Sequence, residues 1–488
     1  MKSSLSKGFV SMASTEVVVM FSNYFIHIFL ARYLGIEAYG IFGVLMSLYL
    51  INRAFLNTGI PRTVTKFISE SNVLTHSFYV AVLKLQLFLA TVVTVLYLLL
   101  APYVASWLHD SSLVGMIRFV GLMIIPLALL ALYTSGYMNG LRVFREQAII
   151  SFSLPIFRLV FVFLFVFLGL GLFGALLGYF LSVVCCLILF FIIWKNPVQY
   201  VEQKEDNKSI LKKVFLFSLP LTLSALAGIS IRNMNVLFVK AMLIDNTLTG
   251  LYTAATTLSN IPFLLFMYLP FVLMPSISRS IAIQNKVLTQ KYIKQSLRWL
   301  LLLMLPIIGL MAATSEELLR LFYSSSFSSA AGVLRLLVFS VTFLVIYSTL
   351  GSIITGSGKP KVEMGMTIFL LGLMILLNLY FIPHYGLLGA GYSSVITTFV
   401  GMVVAGVYVY EKFGVLVNLM STVKIVVSSV MVYYLASLWH FNGVYLGITY
   451  GLMLLFYICM LWLFKEIKKE DVSIVVSLLW WKNKSNED

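Results

Sequence analysis

Apolar residues dominate the chain in long runs, separated by short stretches that carry most of its charge. A run of about 20 apolar residues crosses a bilayer as a helix, since a helix rises about 1.5 Å per residue and the hydrocarbon core is about 30 Å thick. Runs of that length fall near residues 9–31, 38–57, 78–101, 113–136, 148–168, 170–194, 214–241, 250–275, 293–314, 330–355, 363–382, 387–410, 418–438 and 442–464, which predicts fourteen transmembrane helices. Two of the boundaries rest on turn residues alone, Gly169-Leu-Gly171 and Pro383-His384-Tyr385-Gly386. Beyond the last span, Val472 to Trp481 is apolar apart from its serines but too short to cross. Its two tryptophans and flanking lysines make it an interfacial helix.

Charge orients the spans. Of the 34 Lys and Arg residues, 24 lie at the two chain ends and in alternate loops, while the opposite loops hold Arg32, Lys240 and Arg320. Basic loops stay cytoplasmic, so both termini are expected there, in a multi-pass protein of the plasma membrane. Composition agrees: of 488 residues 60% are hydrophobic and 11% charged, against roughly 45–50% and 25% in soluble domains. A soluble multidomain enzyme is excluded. The net charge of +16 points to anionic lipid head groups at the membrane surface rather than to nucleic acid. Cys185, Cys186 and Cys459 all lie inside apolar runs, with neither a disulfide framework nor metal-ligand spacing. Met1 to Gly8 leads straight into a long span, so no removable signal peptide is expected.

The chain repeats itself. Ala31 to Gly40 matches Ala241 to Gly250 at an offset of 210, and Pro61 matches Pro275 at 214. Asn139-Gly140 matches Thr355-Gly356 at about 216, and Gly171-Leu-Phe-Gly174-Ala175 matches Gly386-Leu-Leu-Gly389-Ala390 at 215. Six helices per repeat start both copies on the same side of the membrane. Such parallel repeats are related by an axis along the membrane normal, with a substrate site between them near the midplane. The expected architecture is an all-α integral membrane protein with two parallel six-helix repeats around a central cavity and two extra C-terminal helices. Its divisions are a bundle over 1–195, a basic cytoplasmic linker over 196–213, a second bundle over 214–410, two added helices over 411–464 and an interfacial tail over 465–488.

Seven basic residues remain in or near the spans: Arg53, Lys84, Arg118, Arg158, Arg232, Arg335 and Lys424. The one comparable acid is Glu16. A charge at the bilayer centre costs at least roughly 2.5–3.5 kcal/mol, so buried charges line a cavity or find a partner. Arg53, Lys84, Arg118, Arg335 and Lys424 lie within a turn or two of a span end, where the side chain can also snorkel to the head groups. Glu16, Arg158 and Arg232 are deeper. At 100° per residue, Glu16, Asn23 and His27 fall within about 40° of one another on the first span, and Ser224, Gly228, Arg232 and Asn235 within about 80° on the seventh. These polar faces either look into a shared cavity or pack helix against helix, with Glu16 neutralised by Arg158 or Arg232. A cavity with several cations and one acid attracts an anion, and phosphate or pyrophosphate suits guanidinium donors.

Some apparent motifs carry nothing. Gly169-x-Gly171-x-x-Gly174 lies in a turn between membrane helices and not in a βαβ unit. Gly351 to Lys359 has the wrong spacing for a phosphate loop, and Pro360 stands where Ser or Thr is required. With no ATPase site, transport is expected to draw on an H+ or Na+ gradient, the membrane potential or downstream consumption, with no cofactor. The five histidines are scattered. The sequons at Asn207 and Asn483 fall in cytoplasmic segments and are not glycan acceptors.

The stretch Phe29-Leu30-Ala31-Arg32-Tyr33-Leu34-Gly35, with Ala38-Tyr39-Gly40, Gly59-Ile60-Pro61-Arg62, Asn139-Gly140 and Gly386-Leu-Leu-Gly389-Ala390-Gly391, resembles the multidrug/oligosaccharidyl-lipid/polysaccharide exporter superfamily. Within it the chain looks most like the polysaccharide-transporter branch, the O-antigen or Wzx-type flippases. The resemblance covers essentially the whole chain. It implies two six-helix bundles that open alternately to each side of the membrane. It also implies a polyprenyl- or dolichyl-pyrophosphate-linked oligosaccharide as cargo for cell-surface glycan assembly, and glycosyltransferases or a polymerase of the same pathway as partners. On this reading Arg158 and Arg232 meet the pyrophosphate, Asn23 and Asn235 meet sugar or phosphate oxygens, Arg53 and Arg118 add positive charge, and Glu16 couples transport to an ion. Rival readings are a multidrug–cation antiporter, a lipid II flippase and a membrane-embedded glycan polymerase. An antiporter wants an acidic cavity. Lipid II flippases of the superfamily place arginine in the first helix, where this chain has Glu16, Asn23 and His27.

Overall fold

The computed structural model describes residues 2–71, 75–194, 207–266, 269–438 and 443–467. The interfacial helix expected over 472–481 and most of the linker lie outside these residues. So does the side chain of Glu16, although its backbone is helical. Sixteen α-helices are described: α1 (Lys2–Ser71), α2 (His76–Trp107), α3 (Leu113–Leu122), α4 (Ile124–Ala131), α5 (Phe144–Phe165), α6 (Gly171–Ile193), α7 (Asn207–Leu243), α8 (Asn246–Ser259), α9 (Ile261–Phe266), α10 (Leu269–Ala282), α11 (Lys286–Ala313), α12 (Ser315–Phe322), α13 (Ala331–Gly356), α14 (Pro360–Phe413), α15 (Leu419–Ser437) and α16 (Val444–Leu463). Among the described residues there is no strand, as expected where lipid satisfies no backbone hydrogen bond.

Among the described residues, ten helical stretches are long and apolar enough to cross a membrane. Three of them, Val18–Glu70, Phe144–Ile193 and Pro360–Phe413, have 53, 50 and 54 residues, about 75–80 Å of helix at 1.5 Å per residue. Each exceeds the hydrocarbon thickness twofold and breaks at glycine. The breaks are at Gly35 (φ 82°), at Gly169 and Gly171 (φ 84° and 52°), and at Gly386 (φ 57°). Counted as pairs they give thirteen spans, and residues 246–282, divided among α8, α9 and α10, supply the region of the fourteenth. The turn expected at Pro383–Gly386 is narrower than its sequence suggests, because Pro383 is inside the helix and Gly386 alone makes the break.

Repeat-related glycines share a geometry. Gly171 and Gly386 have ψ −132° in both cases, a region open to glycine at low cost. Three residues on, a Cβ on Gly174 or Gly389 would strike the carbonyl of Phe165 or Phe381, so each hairpin closes only with hydrogen at that position. Gly40 sits against the carbonyl of Asn246 and Gly250 against that of Ile36, while Gly43 faces Thr253. The partners keep the 210-residue offset and exchange roles, which is the reciprocity a two-fold relation produces.

Packing divides the chain into two compact units, Met1–Thr257 with Met364–Ser393, and Leu258–Glu363 with Ser394–Asp488. The division follows packing rather than the repeat, since α7 and most of α8 belong to the first unit. In the second unit, Leu310 and Ala313 of α11 form a core with Ile425 and Val432 of α15 and Met453, Tyr457 and Leu461 of α16. The Tyr457 hydroxyl donates to the Leu302 carbonyl at 2.8 Å. The two C-terminal helices are thus fastened to α11. Between α11 and α13 the chain forms α12, followed by a 3₁₀ turn over Ser325–Ala330.

Candidate anion-binding site in the first unit

Arg158 lies on α5 at 4% exposure. Its Nη1 donates to Asn23 Oδ1 on α1 at 3.0 Å. Its guanidinium stands over the Tyr179 ring of α6, 4.5 Å from the centroid. Its Nε is buried without a hydrogen-bond acceptor, and among the described residues no carboxylate pairs with it. The two ties have clear local causes. Ser22 donates to the Pro155 carbonyl at 3.0 Å and fixes α1 to α5 one turn before Arg158. A Cβ on Gly178 would come within 2.6 Å of the Val162 nitrogen, so glycine there lets α6 approach α5 and brings Tyr179 beside the guanidinium.

An ion moved into a protein interior loses several kcal/mol of solvation even after relaxation. A desolvated cation–π contact returns about 2 kcal/mol, and one hydrogen bond to a charged group about 1.5–3 kcal/mol. Arg158 therefore has at least one donor unspent, which suits it to an incoming anion.

Other candidates lie on α1 and α7. Tyr24, next to Asn23, is within electrostatic reach of Arg232 on α7, so two arginines flank one turn. Arg53 is half-buried and acts electrostatically on Tyr179, whose ring also meets Tyr49 edge-on at 5.8 Å. Asn235 is buried and donates to the Tyr252 hydroxyl at 3.2 Å, while Asn378 donates to Asn235 Oδ1 at 2.7 Å. Asn378 Oδ1 is buried without a donor. His27 Nδ1 is 2.9 Å from the Tyr39 hydroxyl, which lies 3.3 Å from Thr257 Oγ1 on α8. Gly228 faces open space on α7, since an added Cβ would meet nothing within 4 Å.

The remaining basic residues stand apart. Arg118 is exposed on α3 and its Nε donates to the Leu98 carbonyl at 3.3 Å; it does not join Arg158. Lys84 and Arg335 are exposed, and Lys424 faces Glu466 at 4.0 Å. Asn233, the repeat counterpart of Asn23, donates to the Ile229 carbonyl of its own helix. Sequence reasoning missed Tyr24, Tyr179, Tyr252 and Asn378. The one signal for Tyr179 was the glycine before it, a small residue where two membrane helices touch.

The chain matches the family described as polysaccharide biosynthesis protein over residues 5–281, and the MatE family over 220–380. An uncharacterized membrane protein of Methanocaldococcus jannaschii is 24% identical over 412 residues, 80% of this chain and 95% of that protein. The lipid II flippase MurJ in its inward closed conformation superposes with a TM-score of 0.73 at 16% identity, covering 97% of this chain and 99% of MurJ. An inward-facing multidrug resistance MATE family transporter gives 0.71 at 14% identity, covering 83% of this chain and 98% of the transporter. The chain is a multi-pass membrane protein that belongs to the polysaccharide biosynthesis protein family, within the multidrug/oligosaccharidyl-lipid/polysaccharide exporter superfamily.

Proposed function

We propose that this transporter flips a polyprenyl- or dolichyl-pyrophosphate-linked oligosaccharide from the cytoplasmic to the outer leaflet of the plasma membrane by alternating access. The observation that carries this reading is Arg158 of α5, buried with a spare donor and no described carboxylate, tied to Asn23 of α1, whose neighbour Tyr24 is within electrostatic reach of Arg232. A pyrophosphate would take up the spare donor of Arg158 and be attracted by the charge of Arg232, with Arg53 near Tyr179 adding positive charge. Asn23 and Asn235 are placed to meet phosphate or sugar oxygens. The barrier to unassisted flipping is burial of a charged, many-hydroxyl head group in hydrocarbon. A polar, cationic interior lowers it while the lipid tail stays outside.

The family, whose description is polysaccharide biosynthesis protein, supports a glycan cargo. Energy would come from an H+ or Na+ gradient or the membrane potential, with Glu16 the candidate coupling acid. Glycosyltransferases or a polymerase would be the pathway partners. The cationic interior disfavours a cationic drug, and nothing in the arginine, tyrosine and asparagine set supplies the paired acids of a polymerase. A lipid II cargo is the second reading, supported by the fold shared with MurJ over almost the whole chain.

Reconstituted liposomes separate the two cargoes. Protein-dependent translocation of a fluorescent polyprenyl-pyrophosphate oligosaccharide is expected to exceed that of lipid II about tenfold or more. Faster lipid II translocation would transfer the assignment to the second reading, and translocation of neither would end both.

A further inference from the structure

Two opposite charges meet where the first repeat faces the second. Lys240, in the last turn of α7, is 2% exposed. Its Nζ donates to Asp110 Oδ2 at 3.1 Å and to Asn246 Oδ1. Asp110 lies in the short connection between α2 and α3, after His109 at φ 54°. The backbone N–H and hydroxyl of Ser112 donate to the other carboxylate oxygen at 3.2 and 2.6 Å. Both oxygens are therefore occupied. Trp107 packs edge-on against Phe238, with centroids 5.8 Å apart, and ties the same segments a turn earlier. Asn246 opens α8, the helix whose Gly250 and Thr253 close on Gly40 and Gly43.

We propose that Asp110, Lys240 and Asn246 form a latch that holds the extracytoplasmic ends of the two repeats together. The transporter then rests closed on that side and breaks this ion pair in order to open outward. The inference rests on the alternating-access reading and on the cytoplasmic termini given by the charge bias. Opening gives up the Coulomb attraction and hydrogen bonds of the pair while both charges regain hydration, so the closed state persists where the contacts outweigh that hydration and until binding or a gradient supplies the difference. The Asp110 side chain keeps 16% exposure, which gives water a route to the pair.

Charged groups near Asp110 come from each side of the joint. Lys240 faces it from α7, His109 adjoins it and is exposed, and Asp245 is engaged by the amides of Thr247 and Leu248. Burial alone would raise the Asp110 carboxyl; the hydrogen bonds from Ser112 and Lys240, and the Lys240 charge, outweigh it and hold the group below its ordinary value. A depressed carboxyl keeps its ion pair above the ordinary range, near pH 3.9, and loses it as the pH falls below. The latch is therefore intact at neutral and mildly acid pH and is no sensor of external acidity there.

The test uses Thr253→Cys, at the buried contact with Gly43, with Cys185, Cys186 and Cys459 replaced by Ser. Labelling by a membrane-impermeant maleimide added outside, without any substrate, reads opening of that side. In the parent and in Asp110→Glu, labelling stays slow; in Asp110→Asn and Lys240→Met it rises about tenfold, the size of a shift worth about 1.4 kcal/mol. The swapped pair Asp110→Lys/Lys240→Asp returns it towards the parent rate. Unchanged labelling in both neutral variants overturns the latch. Folding is checked by elution as a single species. Should a neutral variant fail that check, the swapped pair decides: slow labelling supports the latch, fast labelling overturns it. Because no cargo enters the assay, a failed oligosaccharide assignment leaves its outcome readable.

Discussion

Replacing Arg158 by Ala lowers translocation of the lipid-linked oligosaccharide about 10- to 100-fold, and replacing Arg158 and Arg232 together lowers it about 1,000-fold or more, with protein abundance in the membrane unchanged. A hydrogen bond to a charged group contributes about 1.5–3 kcal/mol, which is roughly one to two decades of affinity or rate. Both arginines are proposed to act on one pyrophosphate, so their losses are coupled rather than strictly additive, and the double variant leaves that phosphate group neither cation. Abundance should hold because Arg158 contributes a cation–π contact and one hydrogen bond against its own desolvation; alanine removes both the gain and the cost. Surface glycan, measured in cells that depend on this transporter, reports the effect. Normal glycan in the double variant would remove both arginines from the transport path.

Replacing Glu466 by Ala destabilises the protein by about 3–5 kcal/mol, the cost of leaving a buried charge without its partner. Glu466 and Arg298 are 5% and 9% exposed. Arg298 Nε meets Glu466 Oε1 at 2.8 Å, and its Nη2 donates to the Glu466 carbonyl at 2.7 Å. The Ser421 hydroxyl donates to the same carboxylate oxygen, and Lys424 lies 4.0 Å from the other. One carboxylate thereby joins α11 to α15 at the end of α16. Thermal unfolding in detergent should show a clear drop in Tm for Glu466→Ala and a smaller one for Glu466→Ala combined with Arg298→Ala, since the double variant strands no arginine. A double variant that costs the sum of the two single losses would show that the pair is not coupled.

The spans, their turns and the repeat were legible because the bilayer admits few alternatives. A run of apolar residues must close its own hydrogen bonds as a helix, and a glycine that repeats at a 215-residue offset, as Gly171 and Gly386 do, marks a backbone break in both copies. Arg158 and Arg232 stood out in the sequence because deep charges are costly, and Asn23 and Arg232 because helical spacing put them on polar faces. Arg53 and Arg118 were indistinguishable in sequence, since both lie near span ends. Only the neighbours separate them, Tyr179 for one and an exposed helix surface for the other. Tyr179 itself was hidden, because in a chain with 15% aromatic residues a tyrosine on an apolar helix carries no mark of the cation beside it. Asn378 was hidden for another reason: it reaches Asn235 across 143 positions of chain, and no local pattern records that pairing.

On the proposed reading the charge of Arg158 is held for a phosphate-bearing lipid head. The most direct measurement of this is the affinity of the purified protein in lipid nanodiscs for polyprenyl pyrophosphate and for the corresponding polyprenol, in wild type and in Arg158→Gln. Wild type is expected to prefer the pyrophosphate by about 100-fold, added salt to narrow the gap, and Arg158→Gln to remove at least about tenfold of it. Equal affinity for the two lipids in wild type, or a preference that survives Arg158→Gln undiminished, would contradict it.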